Sequence, residues 1–299
     1  MSPLIFGSVM NEYPYYSPTR LRAALEAHGA APRKRLGQNF LIDPNHIRLI
    51  RDAVLAAAGP DTDEPPLFEI GPGPGALTYA MLAGGRRVIA VEIDPVLGAL
   101  LEELLADSPN FQLIRGDARE VLSGSGKDLS PRPRFIYGNL PYYITTELLL
   151  GTLAWPELTG AVFLVQHEFA VRLAGGAESS LAVYAGNICR IQTVHTVPAA
   201  AFYPAPDVKS TVIQLTPHPT GPHCDPARLE RLLRATYQGK RKTLRNNWKG
   251  NAAREGLDAN ALFEVAEQVE LDVSLRPEQV APETYHAIVR GLGDEPQGS

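Results

Sequence analysis

Cysteine is almost missing from this chain. Cys189 and Cys224 are the two in 299 residues, they stand far apart, and neither forms a Cys-x-x-Cys pair or has a histidine at ligand spacing. That excludes a disulfide framework and gives no indication of a zinc site, so two idle thiols in a reducing compartment are expected. Long apolar runs are missing too: no stretch approaches about eighteen uninterrupted apolar residues, and the start MSPLIFGSVMNEYPYYSP lacks a basic segment followed by an apolar one. A cytoplasmic location is expected. Positive charge is not in excess either, because 28 Lys and Arg face 33 Asp and Glu for a net charge of -5. Any nucleic-acid site must then be a local basic patch on an acidic molecule. No internal repeat is visible, and GDEPQGS at the end is the one polar tract that stands out.

What the chain does have is 44% hydrophobic residues in an order that changes twice. Residues 1–16 read as a loose extension. Ser17, Pro18 and Gly29 bracket a short helix, and Asp43 and Pro44 supply the cap and first position of another, running to about Ala58. From Leu67 onward, short apolar runs (LFEI, RVIAVE, FQLIR, RFIY, AVFLVQ) alternate with helical patterns such as ALTYAMLA and TTELLLGTLAW. Strands of that length alternating with helices predict βαβ units and a mostly parallel sheet covered on both faces. SSLAVYAGNICR reads as a further helix, and IQTVHTV and VKSTVIQLTP as closing strands. The proline-rich PHPTGPHCDP breaks the alternation, which puts a boundary between a domain of residues 17–216 and one of 217–299. The second reads as wholly helical.

The strand LFEI runs directly into Gly71-Pro72-Gly73-Pro74-Gly75-Ala76 and then a helix, a turn that brings backbone N–H groups close to a ligand. Glu92 and Asp117 end the next two strands, where open α/β sheets bind ligands. Glu92 can accept from both hydroxyls of a ribose, and Asp117 from the amine of an adenine or as a helix cap. These features suit a dinucleotide as well as S-adenosylmethionine, and Gly71, Gly73 and Ala76 also satisfy the pattern of NAD enzymes.

Tyr137-Gly138-Asn139-Leu140-Pro141-Tyr142-Tyr143 supplies a reactive centre after the strand RFIY. Transfer of a methyl group to an adenine N6 needs neutral acceptors that orient its N–H bonds. The Asn139 side-chain oxygen is one, and the Leu140 carbonyl, whose direction Pro141 restricts, is a second. Tyr142 can stack on an extruded base, a contact typically worth about 1 to 3 kcal/mol.

KRLGQNFLIDPNHI, FEIGPGPGALT, VIAVEID, GDARE, YGNLPYYIT, FYPAPDVKSTV and KRKTLRN stand in one order between Arg33 and Val289. In these motifs the chain resembles the KsgA-type small-subunit ribosomal RNA adenine dimethyltransferases. The resemblance implies a class I, Rossmann-like S-adenosylmethionine methyltransferase sheet with a small all-α C-terminal domain. It implies dimethylation of two adjacent adenines near the 3′ end of 16S rRNA, with the small ribosomal subunit precursor as partner; no metal and a monomeric state are expected of the chain. Carried over, Asn39, Leu41, Gly71, Glu92, Asp117 and Asn139 would contact S-adenosylmethionine, with Gln38 and Gly73 close by. Asn139, Leu140 and Tyr142 would hold the target base, and Phe202 would close its other face unless it is a core aromatic. Pro74 stands where the family commonly has a larger apolar residue.

A dense basic run, Arg228, Arg231, Arg234, Lys240, Arg241, Lys242, Arg245 and Lys249, is opposed only by Glu230. On an acidic molecule this contrast favours RNA phosphates over a merely solvated helix face. Arg33, Lys34 and Arg35 form a second cluster. Three alternatives stay open at this point: a large-subunit RNA adenine methyltransferase of the antibiotic-resistance type, a binding protein that keeps the fold without the chemistry, and an NAD oxidoreductase.

Overall fold

A computed structural model describes residues 13–29, 38–59, 65–124, 126–177, 179–239 and 241–292. The chain divides into two compact units, one formed by Met1–Ala170 with Gln192–Leu215, the other by Val171–Ile191 with Thr216–Ser299.

In the first unit, α1 (Pro18–Ala27) starts on Pro18 behind Ser17, whose side chain makes no capping bond. The two-residue β1 (Phe40–Leu41) precedes α2 (Pro44–Ala58), where Asp43 Oδ1 accepts from the N–H groups of Asn45 at 2.8 Å and His46 at 3.0 Å. Ile47, Ile50 and Val54, one face of a 3.6-residue period, are buried. The alternation then unfolds as β2 (Leu67–Ile70), α3 (Ala76–Ala83), β3 (Val88–Glu92), α4 (Pro95–Leu104), β4 (Phe111–Arg115), α5 (Ala118–Ser123), β5 (Phe135–Asn139), α6 (Thr145–Leu153) and β6 (Gly160–Gln166). After α7 (His167–Ala174) and α8 (Ser180–Ile188) come β7 (Cys189–Val197), β8 (Phe202–Tyr203) and β9 (Ser210–Pro217).

The main sheet runs β4-β3-β2-β5-β6-β9-β7. Its β2–β3, β3–β4, β2–β5 and β5–β6 pairs are parallel and β6–β9 is antiparallel. Every residue of β2 and β3 is buried, as helices on both faces of a parallel sheet require. The chain winds outward from β2 to β4 and then returns to place β5 on the other side of β2. The order therefore reverses between β2 and β5, and a crevice opens at their carboxyl ends. The glycine loop leaves β2 there and Leu140-Pro141-Tyr142 leaves β5.

The expectation of a loose extension before residue 17 is corrected where residues are described. Tyr13 is 3% exposed and belongs to the core with Ile47, Leu77 and Met81, while Tyr15 and Tyr16 pack against it. Tyrosine rings are apolar enough to be drawn into such a core, and the buried Tyr13 hydroxyl has a partner in the Pro74 carbonyl at 3.0 Å.

In the second unit, α9 (Pro226–Tyr237), α10 (Leu244–Asn251), α11 (Ala259–Gln268) and α12 (Pro282–Gly291) surround Leu229, Leu232, Trp248, Leu262, Tyr285 and Ile288. Trp248 satisfies its indole N–H on Thr236 Oγ1 at 2.9 Å. The segment 171–191 joins this unit, because Val183 of α8 is fully buried in that helical core. Within KRKTLRN the helix begins after Thr243, which caps α10, and Arg241 and Lys242 lie before it. Cys189 and Cys224 are both buried and unpaired, and burial pushes their thiols up to about 12 and about 11. No helix among the described residues is long and apolar enough to cross a membrane.

Candidate active site

The crevice at the carboxyl ends of β2 and β5 holds an open cavity, formed within the first unit. β1 and the two residues before it contribute Gln38, Asn39, Phe40 and Leu41; the glycine loop contributes Gly71 and Gly73. Glu92 and Asp117 enter from the ends of β3 and β4, and Asn139, Leu140, Pro141 and Tyr142 from β5. The topology thus gathers residues spread over about a hundred positions.

Each polar group is held by a definite partner. Glycine is required at Gly73, which has φ +58° and where an added Cβ would come 3.2 Å from the Phe40 ring. Its N–H donates to Glu92 Oε2 at 3.0 Å, while Glu92 Oε1 accepts from Asp94 N–H at 2.8 Å. Burial raises the Glu92 carboxyl above its ordinary range, and those N–H groups work against the rise. Asp117 caps α5 through Arg119 N–H at 2.8 Å, and its carboxylate also accepts from the Arg119 guanidinium, whose Nη2 is 2.6 Å away. That ion pair holds Asp117 below the usual carboxylate range. Gln38 Nε2 donates to Asp94 Oδ2 at 3.1 Å.

Asn139 carries the clearest orientation signal. Its Nδ2 donates to the Asn39 carbonyl at 2.9 Å. A carbonyl cannot donate, so the amide nitrogen must face it, and Oδ1 is left as the group's acceptor. Gly138, one residue earlier, permits the close approach of β5 to β2, since a Cβ there would lie 2.4 Å from the Ile70 carbonyl oxygen. Pro141 has φ -62°, as its ring dictates, and its carbonyl accepts from Thr145 Oγ1 at 3.0 Å. The Tyr142 ring is pinned by its hydroxyl, 2.8 Å from Ser210 Oγ on β9.

Phe202 requires a correction. It does not line the cavity; it is 3% exposed in the core and pairs with Leu41 in the two-stranded β1–β8 ribbon. An aromatic at a strand end next to Pro198 and Ala201 finds more apolar contact inward than toward the crevice. Two residues went unnoticed in the sequence. Ser210 anchors Tyr142, and Glu69, 1% exposed inside β2, lines the cavity floor. Glu69 Oε2 accepts from Thr78 Oγ1 at 2.6 Å and from the Tyr137 hydroxyl at 2.8 Å. Burial pushes its carboxyl up to about 7. A carboxylate inside a fully buried strand, two residues before a glycine loop, was the available signal.

Of the basic residues expected to meet RNA, Arg33, Lys34, Arg35 and Lys240 lie outside the described residues. Arg241, Lys242, Arg245 and Lys249 are exposed, with Arg245 lying 5.5 Å over the Phe263 ring. Arg234 is paired with Glu230.

A seven-stranded, mostly parallel sheet whose β9 runs antiparallel to β6, with a glycine loop and strand-end acids around one crevice, defines a class I, Rossmann-like methyltransferase. Solved structures share this fold: the 23S rRNA methyltransferase ErmE has a TM-score of 0.63 at 24% identity, covering 85% of this chain and 99% of its own. A dimethyladenosine transferase from Plasmodium falciparum has a TM-score of 0.66 at 22% identity, covering 83% and 95%. The family model described as ribosomal RNA adenine dimethylase matches residues 29–284. A relative from Deinococcus radiodurans, ribosomal RNA small subunit methyltransferase A, is 39% identical over 94% of this chain and 92% of its own length. One of the same name from Pseudomonas putida is 37% identical over 89% and 96%. This chain belongs to the ribosomal RNA adenine dimethylase family, whose members are S-adenosylmethionine-dependent methyltransferases.

Proposed function

We propose that this chain moves methyl groups from S-adenosylmethionine to the N6 amines of two adjacent adenines near the 3′ end of 16S rRNA, in the cytoplasm, as a monomer, during small-subunit biogenesis. The observation that carries the reading is the Asn139 amide, tied through Nδ2 to Asn39 so that Oδ1 is presented as an acceptor beside the glycine loop.

The donor set fits the cofactor. Glu92 has a carboxylate oxygen for each of two ribose hydroxyls, and Asp117 accepts from an adenine amine. Gln38, Asn39, Leu41, Gly71, Gly73 and Asn139 complete the contact. S-adenosylmethionine, when bound, supplies an electrophilic methyl carbon on a sulfonium. The rest falls to the chain's own residues. Asn139 Oδ1 and the Leu140 carbonyl accept the two N6–H bonds and so direct the nitrogen lone pair along the line of transfer. No strong base is needed, because the proton leaves after the nitrogen has become cationic. Tyr142, held by Ser210, offers its ring to the flipped base. Phe202, enclosed in the core, takes no part.

The sheet-bearing unit is assigned the chemistry and the helical unit the RNA, through Arg241, Lys242, Arg245 and the neighbouring Lys240, with Arg33, Lys34 and Arg35 as a second contact. The test is incubation of purified protein with labelled S-adenosylmethionine and undermethylated small and large ribosomal subunits, followed by nucleoside mass spectrometry and primer extension. Dimethyladenosine at two adjacent 16S positions is expected. Modification of large-subunit RNA instead would favour the antibiotic-resistance type, and RNA binding without label would favour a binding protein.

A further inference from the structure

The glycine loop is held by bonds of two origins. Gly71 N–H donates to the Val91 carbonyl at 3.0 Å, Gly75 N–H to the Pro72 carbonyl at 3.0 Å, and Gly73 N–H to Glu92. These come from the sheet and from the loop itself. One more arrives from a distant part of the chain: the Tyr13 hydroxyl donates to the Pro74 carbonyl at 3.0 Å, across 61 residues and in a buried setting. Two prolines in the loop remove two N–H groups and stiffen the turn, so the Pro74 carbonyl is a further handle by which a distant part of the chain can set its position.

Tyr13 is itself fixed. Its ring meets Tyr15 at 5.6 Å and Tyr16 at 5.0 Å between centroids, both edge-on, and Tyr79 at 5.5 Å. Tyr79 sits in the first turn of α3, the helix into which the loop runs. The cluster therefore grips both the loop and the helix start, and burial keeps the Tyr13 phenol protonated, its pKa raised well above the ordinary value, so that it stays a donor.

We propose that Tyr13 is a positioning residue for the cofactor-binding loop: it acts through the Pro74 carbonyl to hold the Gly71–Ala76 backbone in the conformation that receives the ligand. This rests on the cofactor reading above. Tyr13→Phe removes the hydroxyl and leaves the ring. S-adenosylhomocysteine binding, read by calorimetry, is expected to weaken by about 3- to 10-fold, the scale of one lost hydrogen bond. Turnover at saturating S-adenosylmethionine and the KM for RNA stay within about two-fold, because Asn139 and Tyr142 are untouched. Tyr15→Phe, in the same cluster but without a bond to the loop, leaves the affinity unchanged.

A ligand-independent reading accompanies this one. Hydrogen exchange at the Gly73 and Gly75 amides is expected to quicken in Tyr13→Phe relative to the parent and to Tyr15→Phe. Unchanged exchange and unchanged affinity would overturn the proposal, as would a loss of turnover with affinity intact. Were the parent protein to bind no S-adenosylhomocysteine, the cofactor reading would fall, while the exchange comparison would still decide the role of Tyr13.

Discussion

Replacing Glu69 by glutamine separates the charge of a buried acid from its hydrogen bonds. Thr78 and Tyr137 both donate to the same carboxylate oxygen, so glutamine can offer its one carbonyl oxygen to both and lose only the ionisable group. The Glu69 carboxyl titrates at about 7 in the folded chain against an ordinary 4.5, chiefly because burial removes it from water and also because Glu92 is near. A folded pKa raised in this way means that the native state holds the proton longer than the unfolded one. The stability contribution is therefore complete below about pH 4.5 and is lost as the pH rises to about 7. The gap between 4.5 and about 7, at about 1.4 kcal/mol per pH unit, amounts to roughly 3.5 kcal/mol. Urea unfolding of ligand-free parent and Glu69→Gln at about pH 5 and about pH 8 measures it, since groups that titrate alike in both chains drop out of the difference. The variant should gain about 2.5 kcal/mol relative to the parent between the two pH values, because a small part of the effect is already lost at about pH 5. A difference that stays flat would mean that Glu69 ionises as an ordinary surface carboxylate, and the account of the cavity floor would be wrong.

Asn139→Ala should lower methyl transfer by about 100-fold or more in single-turnover assays while cofactor affinity stays within a few-fold, because an oriented polar group at the reacting centre is lost. Near-normal turnover refutes that role. Gly138→Ala sets a Cβ 2.4 Å from the Ile70 carbonyl oxygen, and since backbone must move to relieve it, a destabilisation of about 3 kcal/mol is expected in denaturant titrations. Changing Lys240, Arg241 and Lys242 together to alanine should weaken RNA binding and flatten its salt dependence, each lost phosphate contact removing about 0.7 to 0.9 from the log–log slope. An unchanged slope would turn the basic run back into a solvated surface.

The parts of the fold that could be read in advance are those where one local rule decides. Asp43, Asp94 and Asp117 sit at helix starts because their side chains cap, and the buried strands announce themselves as apolar runs. Glu92, Asp117 and Asn139 were legible as crevice-lining residues because each stands at or just beyond the end of a strand. What escaped depends on partners distant in sequence. The β1–β8 pair is two residues long, too short for a period, and Phe202 turned inward because that pair buries it. Tyr13 finds its carbonyl 61 positions away. Glu69 depends on Tyr137, which donates to it from 68 positions away. A helical pattern at 180–188 could not say that Val183 would pack among the C-terminal helices.

The tie between Asn139 and the Asn39 carbonyl acts as a polarity filter on the proposed substrate. With one amide N–H committed to the Asn39 carbonyl, the amide turns Oδ1 toward the proposed base as an acceptor, and in the same reading the Leu140 carbonyl supplies another. An exocyclic amine meets two complementary oxygens, whereas guanine or inosine would bring an oxygen of its own against them. Selection of adenine over a keto purine then needs no contact with the rest of the ring.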